Sequence, residues 1–179
     1  MERKRISVSD FVACPIDIWQ SSWMLLSSGD FAAGKFNSMT VSWGSLGVMW
    51  GKPIAMCMVR PQRYTRQFMD QGDSFSLCIF PTELKHFLDV LGCKSGRDMD
   101  KVNHSGFTAE AATKIATPVY KEAELALECK KIYTHDLDPK NFLAEYIPGL
   151  YKNDYHRMYL GEIVAVTGVD RYRLRRQGV

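Results

Sequence analysis

Three short segments of this chain hold side chains that a core does not require. In FNSMTVSWGS, a period of two places Asn37, Met39, Val41 and Trp43 on one face of a strand and Ser38, Thr40 and Ser42 on the other. Hydroxyls beside large soft side chains suit a flat heteroaromatic ligand, with donors at its carbonyl edge and apolar groups against its ring. An edge strand with one wet face has the same pattern. In VRPQRYTRQF, Arg60, Arg63 and Arg66 gather at the amino end of a short helix where Thr65 offers both a cap and a hydroxyl. Free N–H groups and the local dipole favour an anion there, and a guanidinium supplies a bidentate countercharge. A solvated basic turn is the alternative. The third segment, Lys94 to Lys101 (KSGRDMDK), is a polar glycine-containing loop that folds over a ligand or closes on its own ion pairs.

Other chemistries lack their motifs. No GxGxxG follows a strand and no GxxxxGK[ST] occurs, which argues against a Rossmann dinucleotide site and a P-loop. There is no GxSxG, nor a Ser/His/acid arrangement that favours hydrolysis. His86, His104, His135 and His156 are too scattered to spell a metal site. The five cysteines form no CxxC pair, and MERKRISVSDF lacks the apolar segment of a signal peptide, so the expected compartment is a reducing cytoplasm. Cys57 and Cys78, inside IAMCMV and FSLCIF, read as small buried hydrophobes.

The elements that must position these residues are mostly strands. Apolar stretches are short, rich in β-branched and aromatic residues, and divided by turn signals such as SSGD, AAGK, WGKP and QGDS. Strands are expected over 23–27, 37–43, 54–60, 74–80, 107–112, 123–134 and 157–166, as an antiparallel barrel or sandwich. A helix is expected over Glu83–Leu91, capped by Thr82, striped by Leu84, Phe87, Leu88 and Leu91, and ended by Gly92. A second spans Arg66–Gln71, opened by Thr65 and closed by Gly72. With 179 residues, 46% hydrophobic and 24% charged, the chain has room for one domain with a single core. No apolar run is long enough to cross a membrane as a helix. The net charge of +3 resides in the segment 170–179, which holds one acid and Arg171, Arg173, Arg175 and Arg176. The neutral remainder argues against a nucleic-acid partner, and the tail reads as solvated, dimer-packed or phosphate-contacting.

In this order, the hairpin, NSMTVSWGS, VRPQRYT, FSLCIF, KSGRDMDK, LALECKKIYTHDL and HRMYLGEIVAV resemble the flavin reductase-like family of flavoredoxins and NAD(P)H:FMN oxidoreductases. The resemblance implies a mainly β fold, the FMN-binding split β-barrel (antiparallel, Greek-key) with a few short helices, over 1–179 with 170–179 as a basic tail. It implies non-covalent FMN, with Asn37, Ser38, Met39, Thr40, Ser42 and Trp43 along the isoalloxazine and ribityl portions. Arg63 and Thr65 would hold the phosphate, reached also by Lys101 and, more weakly, by Ser95 and Arg97. His156 would lie near the flavin or the substrate pocket and orient the donor or share a proton; a hydrogen-bonded strand-end histidine is the other reading. Arg60 faces the pocket or not according to the direction of its strand.

The activity so implied is hydride transfer from NADH or NADPH to bound flavin, then electron delivery to a small-molecule or protein acceptor. The alternatives are a flavoredoxin-type carrier without its own NAD(P)H turnover and a non-catalytic ligand-binding barrel. The resemblance also implies a homodimer, with no membrane partner.

Overall fold

Period-two alternation builds one antiparallel sheet whose inner row is mostly apolar, with Ser28 and Asn37 as buried polar members of it. The computed structural model describes residues 2–99 and 101–175. Its main strands are β1 (Lys4–Ile6), β2 (Met24–Asp30), β3 (Lys35–Val41), β4 (Gly44–Met49), β5 (Lys52–Val59) and β6 (Ser74–Ile79), followed after a small ladder by β9 (Leu125–Asp136) and β10 (Arg157–Gly168). That ladder pairs β7 (Ala109–Glu110) with β8 (Val119–Tyr120). The helices are α1 (Pro15–Asp17), α2 (Thr65–Gln71), α3 (Lys85–Cys93) and α4 (Lys101–His104).

The strands lie in the order β3-β2-β6-β9-β10-β5-β4. Strands β6, β9 and β10 are side by side, while β5, earlier in the chain, lies against β10; this is a Greek key. The two ends of the path meet because Ser42 and Trp43 carry the chain from β3 directly into β4, and the Met58 N–H of β5 donates to the Trp43 carbonyl at 3.2 Å. The sheet therefore closes on itself. Gly44 permits this corner, since a Cβ there would lie 2.3 Å from the Trp19 ring. Strand β10 pairs with β9 along its length, but on its other side it pairs first with β5 (157–162) and then with β1 (166–168). The barrel is split where those neighbours change.

Met24, Leu26, Met39, Val41, Cys57, Val59, Phe75, Leu77, Leu125 and Leu127 fill the interior, alternate residues of each strand as the pleat requires. The intervening Leu25, Cys78 and Ala126 pack outward under Leu88 and Leu91 of α3, with Phe107 and Tyr120. Burial pushes the Cys78 thiol up to about 12, and Cys57 and Cys129 are pushed up by the same cause, as inert core cysteines should be.

Several expectations need correction. Strand β4 was absent from the sequence reading; WGKP marks its turn, with Trp50 at φ 52° and Gly51 at φ 69° in a tight hairpin. The strand expected over 107–112 shrinks to Ala109–Glu110. Neither helix has the expected cap. Thr82 lies in a short 3-10 turn, α3 begins at Lys85, and it runs past Gly92 to Cys93. Thr65 is already helical and its hydroxyl faces β3, so Tyr64 precedes the helix without a side-chain cap. The outer face of β3 is not wet, because α3 and β8 cover it. The tail packs on its own barrel: Arg171 bonds Glu124, Arg173 Nη2 donates to the Arg5 carbonyl at 2.7 Å, and Phe11 bridges to Arg173. Arg176 lies outside the described residues.

Candidate functional site

The corner that closes the barrel also forms one wall of a cleft of about 450 Å³, within the range of small-molecule pockets. Strand β3 and the corner supply Met39, Thr40, Ser42 and Trp43, and β5 supplies Met58. Arg60, Gln62 and Arg63 come from the turn before α2, and His156 from the start of β10. Six of the sequence-predicted residues, Met39, Thr40, Ser42, Trp43, Arg63 and His156, thus converge from three parts of the chain. Trp43, 42% exposed, leaves the strand alternation and projects its ring at the cleft mouth. Thr40 Oγ1 donates to the Leu88 carbonyl at 2.5 Å, which ties the wall to α3.

Arg60 and Arg63 differ in their partners. Arg60 Nη1 meets Asp154 at 2.8 Å, Nη2 donates to the Leu150 carbonyl, and the guanidinium lies over the Tyr151 ring. Arg63 is half-buried, donates to the Gly92 carbonyl, and makes no ion pair among the described residues. Burial pushes its guanidinium down from the ordinary value, Cys93 opposes this, and Arg60 adds to it. A half-buried cation without a carboxylate is free to take an anion as its partner.

Behind Arg63, Asn37 and Thr65 are buried and bonded to each other, Asn37 Nδ2 donating to Thr65 Oγ1 at 2.6 Å. The 95–99 loop closes on them: a Cβ at Gly96 would lie 2.1 Å from Asn37 Oδ1, so only glycine allows this approach. Arg97 Nη1 donates to the Gln62 carbonyl at 3.3 Å, and its guanidinium lies over Tyr64. Ser95 accepts from the Arg97 N–H, turning inside the loop rather than into the cleft. Ser38 also stays out: its hydroxyl is buried within 2.7 Å of Ser27 Oγ and 2.5 Å of Tyr120 OH, because the alternation sends it outward beneath β8. Lys101 opens α4, but its side chain lies outside the described residues. The N–H groups of Arg66 and Gln67 are taken by the carbonyls of Arg63 and Tyr64, so neither is free for an anion at the helix end, where Arg63 is the cation without a carboxylate among the described residues. A larger hollow of about 1270 Å³ opens beyond Asn37, between the β2–β3 hairpin, α2 and the 96–109 segment, but gathers none of the other predicted residues.

Sequence reasoning missed the strap, residues 137–156, which folds back over the cleft. The Leu137 N–H donates to the His156 carbonyl at 3.0 Å at its base, and Asp154 accepts from both Arg60 and Gln62 Nε2. Asp154 is held down at about 2, chiefly by the Lys152 N–H and then by Gln62. His156 lies 4.8 Å from the Trp43 ring and 3.0 Å from Tyr151 OH through Nδ1. Burial pushes it down from 6.5 to about 4; Arg60 reinforces the shift and Asp154 opposes it, so the imidazole is neutral near pH 7. The aromatic spacing of NFLAEYIPGLYKNDYH is the signal in the sequence that could have marked this segment as packed.

A family model described as the flavin reductase like domain matches residues 21–175. The chain belongs to the flavin reductase-like domain family. Among solved structures, flavoredoxin from Methanosarcina acetivorans is similar at 24% identity and a TM-score of 0.65, covering 94% of this chain and 74% of that one. An FMN-binding domain of a flavin reductase-like enzyme from Shewanella baltica has 16% identity and a TM-score of 0.68, covering 93% and 77%. An FMN-binding protein from Thermus thermophilus with bound p-hydroxybenzaldehyde has 18% identity and a TM-score of 0.66, covering 92% and 82%. At these identities the structures show the fold, a split barrel. No curated protein matches. No helix among the described residues is long and apolar enough to cross a membrane, and none of their His, Cys, Asp and Glu side chains cluster as metal ligands.

Proposed function

We propose that this flavin reductase-like chain holds FMN non-covalently in the cleft and uses it as an oxidoreductase, taking hydride from NADH or NADPH and passing electrons onward. The observation that carries this reading is the half-buried Arg63, without a carboxylate partner among the described residues, in the same cleft as the Trp43 ring, Met39 and the neutral His156. That donor set suits FMN: a cation for a phosphate, soft side chains for a flat ring, and hydroxyls for a polar chain. Bound FMN supplies two-electron chemistry. Arg63 would hold the phosphate, with Arg97 and Lys101 near it. Asn37 and Thr65 would support that end, Thr40 and Ser42 would face the polar chain, and Met39 and Trp43 would pack on the ring and keep water from it. His156 would offer one nitrogen to the cleft.

The onward acceptor is a small molecule or a protein at the Trp43 mouth; the bound p-hydroxybenzaldehyde of the Thermus protein favours a planar carbonyl compound. The flavoredoxin likeness favours a second reading, an electron carrier reduced by another protein. The test is to load the protein with FMN, desalt it, and add NADH or NADPH anaerobically. Retained flavin that bleaches supports the reductase; retained flavin that stays yellow with both nucleotides supports the carrier; lost flavin overturns the site. We also infer a homodimer. Val48, Met49 and Trp50 are exposed at the β4–β5 hairpin and Trp50 meets Tyr133 of β9 at 6.4 Å, an apolar surface suited to a second copy. Sedimentation as a single 20.4 kDa species at micromolar protein would refute it.

A further inference from the structure

The strap places a phenol behind the one imidazole of the cleft. Tyr151 OH lies 3.0 Å from His156 Nδ1, and the Trp43 ring lies 4.8 Å from the same imidazole, so the nitrogen left for the cleft is Nε2. The charged groups about the pair are Arg60, from the turn just after β5, and Asp154, from the strap; they bond each other at 2.8 Å. A neutral imidazole carries one N–H, and which nitrogen holds it is set by the partner of the other.

If Nδ1 held the proton, it would donate to the phenol oxygen, and the phenolic O–H would need another acceptor. None is found for it among the described residues: Arg60 lies over the Tyr151 ring, at 5.4 Å, and has no acceptor to give. With the proton on Nε2, the phenol donates to the Nδ1 lone pair, and the one N–H left over belongs to the imidazole that lines the cleft, where a ligand oxygen can accept it. Phe142 stacked on Tyr151 at 5.9 Å and the Arg60 contact hold the phenol in place.

We propose that Tyr151 is a positioning residue whose O–H locks His156 as the Nε2–H tautomer, so that His156 presents a neutral hydrogen-bond donor to a carbonyl oxygen of the planar ring ligand in the cleft. The ligand half rests on the FMN reading above. A donor of this kind orients a carbonyl without exchanging a proton with it, so the proton-sharing role of His156 is replaced by an orienting one.

The test is a two-bond proton–nitrogen NMR spectrum of protein labelled with ¹⁵N-histidine, at pH 7, with the His156 signals identified by their loss in His156→Gln. The wild-type protein should show a protonated Nε2 and a bare Nδ1, and Tyr151→Phe should show a mixture of tautomers. An Nδ1–H pattern in the wild type, or an unchanged pattern in Tyr151→Phe, overturns the lock; if Tyr151→Phe fails to fold, the wild-type spectrum decides. Adding FMN should shift the Nε2–H proton downfield and slow its exchange with solvent, and no change refutes the contact with the ligand. A wild-type chain that retains no FMN refutes the proposed function, and the lock then stands or falls on the first spectrum.

Discussion

Replacing Arg63 by Ala separates the phosphate reading from a structural role. Its guanidinium is partly desolvated, and among the described residues its charge meets no carboxylate and its hydrogen bond goes to the Gly92 carbonyl. A phosphate bonded to it gains charge-assisted hydrogen bonds, and their removal costs about 1.5–3 kcal/mol, or about 12- to 150-fold in Kd. Riboflavin has the same ring and polar chain without the phosphate, so its affinity should change by less than about threefold, roughly 0.7 kcal/mol. The lost Gly92 bond lowers folding stability by about 0.5–1.5 kcal/mol in either case, which a urea melt without ligand measures. Arg63→Lys should recover part of the loss, since it restores a charge but not a fork. Arg97→Ala should cost less than Arg63→Ala, because Arg97 is exposed. Titration calorimetry of both ligands against the wild type and each variant reads all of this. Equal losses for FMN and riboflavin would mean that Arg63 acts through the fold alone.

Stability should fall between pH 6.5 and 4, because the fold favours neutral His156 and holds it at about 4. That contribution is present above 6.5 and lost as pH falls through the window; His156→Gln should flatten it in urea midpoints, and parallel curves would refute the assignment. Below pH 4, protonation of Asp154, held down at about 2, removes the Arg60 and Gln62 bonds and should open the strap to protease. Arg171→Ala leaves the buried Glu124 carboxylate with Tyr172 OH, and should cost about 1–3 kcal/mol with FMN affinity unchanged; a large loss of FMN would restore the tail as a ligand. Ser38→Ala should destabilise the barrel by about 1–2 kcal/mol by breaking the Ser27–Ser38–Tyr120 hydroxyl chain, again without changing FMN affinity; weakened FMN would place Ser38 at the site after all.

Much of the interior is legible because a period of two holds over the strand segments that face it: Met24 and Leu26, Phe75 and Leu77, and Leu125 and Leu127 all point inward as the alternation requires, although the β9–β10 ladder shifts register at Leu160/Gly161 and Ile163/Ala165. The same rule misled at Trp43 and Ser38. Trp43 falls after β3 ends, where the corner releases it from the alternation, and Ser38 points outward but under β8 instead of into water. Caps were misread for a related reason. Thr65 and Thr82 are the right residue types, but the first is drawn to Asn37 across the fold and the second starts a 3-10 turn. Tyr151 and Asp154 could not be read at all, since each meets its partner only through folding: Arg60 is 94 residues before Asp154.

The two arginines of the RPQR turn show how long-range pairing turns a basic stretch into distinct chemistry. From sequence, Arg60 and Arg63 are equivalent candidates for an anion. In the fold, Asp154 pairs with Arg60, whose guanidinium then clamps the strap, while burial keeps the neighbouring His156 imidazole uncharged. Arg63 receives a carbonyl, which satisfies a donor without cancelling a charge. One positive charge therefore stays in the cleft beside a neutral imidazole and an indole. An anionic group is attracted to one place while the ring it carries meets no charge, and this division between a charged and an uncharged part matches a phosphorylated aromatic ligand better than a wholly anionic or a wholly apolar one.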